Sequence, residues 1–210
     1  MQKAGKTRKA LSLIDTIIAI GIFALGIQAF TLVFIKVWNN NAFIVEEGEA
    51  SLIASRMVNE AVKNIRKARQ GDNGAYPVQS GDDYNLNLYI DFDNDGLTER
   101  VHYFLENETF KVGITKPSGN PPVYPLGDQE VRNLANYVIN DFLDQPVFSY
   151  YNRDYPGDLA GNPLEVPINP GDVRLVKIKL FVNIRANKAP DHINIESIAE
   201  LRNLNDYAQF

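Results

Sequence analysis

The stretch LSLIDTIIAIGIFALGIQAFTLVFI, residues 11–35, decides how the chain is organised. Asp15 is the one ionisable side chain in it. As a helix the stretch would extend about 37 Å at about 1.5 Å per residue. That is enough to cross the roughly 30 Å apolar layer of a bilayer with some tilt. A cleavable secretory signal has a shorter apolar region followed by a small-residue cleavage site. Here the run continues into Lys36, Val37 and Trp38, and Lys and Trp suit a membrane–water boundary. The pattern therefore reads as a retained, single-pass anchor. Lys3, Lys6, Arg8 and Lys9 precede it, so the positive-inside tendency puts the N-terminus in the cytoplasm and predicts an exported remainder.

The 210 residues give room for one ordinary domain plus an appendage. There is no cysteine, which excludes a disulfide framework and a thiolate metal site. Without the four leading basic residues the chain has 17 Lys and Arg against 26 Asp and Glu, a balance of −9. A body that acidic is a poor nucleic-acid binder on electrostatic grounds.

Beyond the anchor, Leu52, Ile53, Met57, Val58, Ala61, Val62, Ile65 and Ala68 recur at spacings of three and four. That is one apolar face on an otherwise polar helix reaching about Arg69. Glu46, Glu47 and Glu49 near its start and Arg66, Lys67 and Arg69 near its end suit the helix dipole, and Gly71 suits a C-terminal cap. One long helix follows, membrane-crossing in its first half and amphipathic in its second, with Asn39, Asn40 and Asn41 as the point where it can bend. The expected organisation is residues 1–10 as a cytoplasmic leader, 11–38 as the membrane half of the helix, 39–70 as its amphipathic half, and 71–210 as an exported β-rich domain.

From Leu86 the period becomes two. Leu86, Leu88, Ile90 and Phe92 form one face, then Val101, Tyr103 and Leu105, then Phe110, Val112 and Ile114, with turns at Asn94-Asp95-Gly96 and Asn107-Glu108. These read as an antiparallel meander. Residues 76–83 and the Pro- and Gly-rich 116–127 and 152–172 read as loop. Residues 131–142 read as helical or mixed, because Leu134, Val138 and Phe142 are four apart. Strands are expected over 147–151, 173–184 and 193–201, the last closing the sheet. The fold class is thus α+β, a long N-terminal helix packed on an antiparallel sheet.

Asp15 needs a reason. A carboxylate deep in hydrocarbon costs about 2.5 to 3.5 kcal/mol on insertion scales, and less near the membrane edge. Either it lies at the cytoplasmic interface among headgroups, or it awaits a positive partner, such as an α-amine created by cutting after Ala10. The segment RKALSLIDTIIAIGIF, residues 8–23, resembles the leader and first helix of type IV pilins and type II secretion pseudopilins. That family has a short basic leader, a small residue before the cut, and an apolar helix whose fifth mature residue is acidic. Ala10 stands where Gly is usual, Leu11 where Phe is usual, and Asp15 where Glu is usual. DQPVFSYYN, VRLVKIKLFVNI and the terminal SIAELRNLN resemble the sheet and tail of minor pseudopilins more diffusely. The resemblance implies cleavage after Ala10 by a prepilin peptidase, N-methylation of Leu11, and attraction of Asp15 to the Leu11 amine of a neighbouring subunit. It implies a pilin-like fold. As partners it implies other pilin or pseudopilin subunits, the inner-membrane assembly platform, and membrane lipid before assembly. The shorter reach of Asp fits a specialised minor subunit better than a main one.

DFDNDGLTE places Asp91, Asp93 and Asp95 at alternate positions before Gly96, oxygen donors spaced like the first half of a calcium loop. The twelve-residue calcium loop ends on a bidentate Glu, and that position here is His102. Glu99 or a backbone carbonyl can complete a different loop; the competing reading is a hairpin turn whose acids face water. His102 and His192 carry no catalytic pattern, and there is no nucleophile elbow, phosphate-binding glycine loop or paired-histidine motif. Asn107-Glu108-Thr109 matches a glycosylation sequon, and Tyr150, Tyr151 and Tyr155 suit a packing patch. An enzyme is not expected. The two functions left are a filament subunit, a minor pilin or pseudopilin, and a membrane-anchored receptor or adhesin that forms no filament.

Overall fold

In the computed structural model, which describes residues 12–184 and 192–204, one helix, α1 (Leu13–Ile65), runs unbroken through Asn39, Asn40 and Asn41. Asn costs only a fraction of 1 kcal/mol per position in a helix, too little to break one already nucleated on both sides. The chain divides into two compact units, Met1–Glu46 and Glu47–Phe210.

In the first unit, residues 12–41 are exposed on every side. The helix passes the length and composition test for a membrane span, with a mean hydropathy of 2.4 over its most apolar window. The Thr31 hydroxyl is satisfied within the helix, as a spanning segment requires: it donates to the Ile27 carbonyl at 2.9 Å. Phe30, Phe34 and Trp38, spaced by four, stack at 6.3 and 6.1 Å.

In the second unit, Ala54, Val58, Ala61, Val62 and Ile65 of α1 enter the core. Leu52 and Ile53, expected on this face, are 61% and 52% exposed; the inward side runs instead through Glu47 and Ala50 to Ala54. The helix also ends earlier than the charge pattern suggested. After Ile65 the hydrogen bonds tighten to three-residue spacing, Lys67 N–H to Asn64 and Ala68 N–H to Ile65, and Gly71 is not the cap. Gly71 instead opens a short turn closed by the Gly74 N–H at 2.8 Å.

Five antiparallel strands make the first sheet, in the order β1 (Val78–Gly81), β2 (Asn85–Ile90), β3 (Glu99–Glu106), β4 (Thr109–Thr115) and β5 (Glu130–Asn136). The expected meander is β2–β3–β4, and Asn107 and Glu108 take left-handed φ values of 51° and 56° in its two-residue turn. Two edge strands correct the sequence reading. β1 lies where a loop was expected, and β5 lies in the segment read as helical. Phe142, one of the residues spaced by four there, is 85% exposed.

The remaining strands form a second sheet rather than closing the first: β6 (Phe148–Tyr151), β7 (Leu175–Val182) and β8 (Ile193–Glu200), in that order. The sheets meet where Val138 bridges Val182. There the buried Asn140 accepts the Phe181 N–H at 2.8 Å and donates to the Lys179 carbonyl at 2.8 Å. Tyr150 of β6 makes a second junction, donating to the carbonyls of Asp82 and Asn85 at 2.9 and 3.0 Å.

Candidate functional site

Two places carry chemistry, the start of α1 and the loop between β2 and β3. At the first, the processing residues Ala10 and Leu11 lie outside the described residues, and Asp15 lies within them. The Ser12 N–H donates to Asp15 Oδ2 at 3.2 Å, and the Ile14 N–H donates to Ser12 Oγ at 3.4 Å. The Asp15 bond is one half of a capping box, with Asp in the position Glu usually takes, while Ser12 Oγ meets the second N–H of the helix rather than the third. It gives Asp15 a neutral backbone partner. A carboxylate in the first turn gains about 0.3 to 1 kcal/mol from the helix dipole. That does not offset the about 2.5 to 3.5 kcal/mol of placing it deep in hydrocarbon. A local cap explains the geometry and, among the described residues, leaves the charge without a counterion.

At the second place, β2 delivers Asp91 and Asp93 past its end, and β3 begins on Glu99. One carboxylate oxygen from each of these three lies within 4.8 Å of the others. The turn between them needs left-handed backbone at Asn94 and Gly96, at φ 61° and 96°. Asp95, the third acid of the sequence motif, folds back on its own loop: its Oδ1 accepts the Leu97 N–H at 2.8 Å. Glu99 takes its place in the trio.

The loop is braced from outside. Arg69 donates to Thr98 Oγ1 at 2.8 Å and to the Gly96 and Leu97 carbonyls at 2.8 and 3.1 Å, and its guanidinium lies 3.5 Å from Asp91. Asp72 accepts the Thr98 N–H at 3.0 Å, and the Tyr124 hydroxyl donates to the Thr98 carbonyl at 2.6 Å. Lys116 reaches in from beyond β4, with Nζ 2.6 Å from Asp93, 3.5 Å from Asp95 and 3.9 Å from Glu99. Its hydrogen bond to Asp93 raises the Lys116 ammonium pKa and lowers that of Asp93.

The chain matches no family model and no curated protein. What it does must therefore be argued from these two places.

Glu99 has a fully buried side chain, so desolvation pushes its carboxyl above the usual 4.5, reinforced by Asp93 and Asp95 and opposed by the Phe92 N–H and Lys116. Between 4.5 and the raised value the folded chain binds more protons than the unfolded one. Stability is therefore highest below that window and falls as pH rises through it. Glu99→Gln keeps an oxygen for the Phe92 N–H, 2.8 Å away, and removes the charge. In chelator, urea unfolding across about pH 4 to 8 is expected to show a declining slope in the native chain and a flatter one in Glu99→Gln.

The other residues singled out in the sequence pack against neighbours. His102 is held between Asp128 at 3.0 Å and Asn85 at 3.2 Å and stacks on Phe104. Tyr151 packs on Tyr155 at 4.4 Å, and His192 sits edge-on to Phe181. Lys116 was missed by sequence reasoning, since nothing local links it to Asp93, 23 residues away. The burial of Glu99 had a signal: it precedes Val101 and Tyr103 at period two, on the face that enters the core.

Proposed function

We propose that this chain is a filament subunit of the minor pilin or pseudopilin kind, cut after Ala10 and drawn from the membrane into a type IV pilus or type II secretion pseudopilus. The observation that carries this reading is the first unit of the chain. Over residues 12–41 it is an exposed helix, apolar from Leu13 to Ile35, with one carboxylate, Asp15, whose described partner is a neutral N–H. In a bilayer or a subunit bundle that charge calls for a cation. A free amine at Leu11 of an adjoining copy supplies one at the right level of the helix. The exposed Leu13, Ile17, Ile20 and Phe23 then become the packed centre of the filament instead of a lipid-facing surface. The acidic outer domain sets the partner.

The capping geometry favours a second reading, a single-pass receptor or adhesin in which Asp15 only starts the helix. Shearing cells and sedimenting the released filaments separates the two. The chain is expected in the filament fraction, labelled along or at the end of fibres in immunogold micrographs. Complete retention in the membrane fraction, in cells that display filaments, would favour the receptor.

A further inference from the structure

We propose that the loop between β2 and β3 is a calcium site, in which Asp91, Asp93 and Glu99 supply carboxylate oxygens and the Lys116 ammonium holds the cation's place until the ion displaces it. The proposal does not depend on filament assembly. Oxygens bound to one calcium at 2.3 to 2.6 Å can be at most about 5 Å apart. One oxygen from each of the three acids meets that limit, all within 4.8 Å.

The independent sign of a ligand is Glu99. Its side chain is 1% exposed. Oε2 accepts the Phe92 N–H, whereas Oε1 faces the cluster with no hydrogen-bond partner. Lys116 approaches Oε1 to 3.9 Å, beyond hydrogen-bond reach. Asp91 Oδ1 is enclosed and unpartnered in the same way. Buried charged oxygens are ordinarily paired or bound to metal.

Charge points the same way. Asp91, Asp93, Asp95 and Glu99 face Arg69 and Lys116, an excess of negative charge that grows when Lys116 leaves and so favours a divalent ion in its place. An all-oxygen donor set on a loop suits calcium, which accepts irregular geometry, better than magnesium, zinc or copper. The Lys116 side chain is 51% exposed and free to swing out, while Arg69 keeps the loop in place.

The test is calorimetric titration of calcium chloride into the full chain, in detergent micelles and stripped with chelator. One equivalent is expected to bind, and the thermal midpoint to rise. Lys116→Met removes the ammonium that competes with the ion for the carboxylates, so affinity should rise about tenfold. Glu99→Gln should weaken binding at least tenfold. No binding by about 10 mM, above the range of weak extracellular calcium modules, would overturn the proposal. So would unchanged or weaker binding in Lys116→Met, or native affinity in Glu99→Gln. If Glu99→Gln fails to fold, the half-exposed Lys116→Met decides alone.

Discussion

Replacing Asp15 with alanine is expected to leave the chain inserted in the membrane and to cut its incorporation into filaments at least tenfold. Insertion should tolerate the change because it removes the one ionisable side chain between residues 12 and 35. Assembly should not. Breaking a desolvated ion pair by deleting one partner costs about 3 to 5 kcal/mol, since the other charge is stranded. About 1.4 kcal/mol already corresponds to a factor of ten. The capping bond to Ser12, worth at most about 1 kcal/mol, cannot account for such a loss. Asp15→Asn separates the two effects: it keeps an oxygen for the Ser12 N–H and lacks the charge. It is expected to fail in assembly as alanine does. Near-native assembly of Asp15→Asn beside failure of Asp15→Ala would make Asp15 a helix cap and no more.

Gly81→Ala is expected to destabilise the second unit by about 3 kcal/mol, lowering the thermal midpoint by about 6 to 12 °C. A Cβ there would lie 2.5 Å from the Tyr150 hydroxyl oxygen, 2.6 Å from its ring carbon and 2.9 Å from Ile168 Cδ1. Tyr150 is fully buried and cannot swing aside. Its displacement would also break the bonds to Asp82 and Asn85 that tie β6 to the β1–β2 turn. Overpacking costs about 1 to 3 kcal/mol, and each buried acceptor left unpaired about 1 to 3 more. Adding Tyr150→Phe removes the closest clashing atom, so the double variant should be less destabilised than the two single effects combined. A shift under about 2 °C for Gly81→Ala would show that the sheets have room at this junction.

The helix and the meander were legible because each writes its period locally. Leu86, Leu88 and Ile90 alternate, and Val58, Ala61, Val62 and Ile65 lie on one helical face. β5 was not, because an edge strand with only Ala135 buried has no alternation to read. β1 is four residues long, with a register shift between Val78 and Ser80, and reads as loop for the same reason. The division into two sheets is fixed by Asn140 and the Val138–Val182 bridge, contacts between segments about 40 residues apart. At the acidic loop the sequence named Asp91, Asp93 and Asp95 and offered Glu99 as a completing residue. Whether Asp95 or Glu99 joined the other two depended on how the turn at Gly96 closed, and the Leu97 N–H occupies one Asp95 oxygen while the other reaches only as far as Lys116.

The filament reading rests on a carboxylate near the start of an apolar helix meeting a new amine made by cutting the chain. Mass spectrometry of the native protein, released from cells by shearing, measures that end directly. A chain beginning at Leu11 and heavier by one methyl group is the expected result. A chain in the same fibres that still carries residues 1–10 would contradict it, because no α-amine would then exist at the level of Asp15.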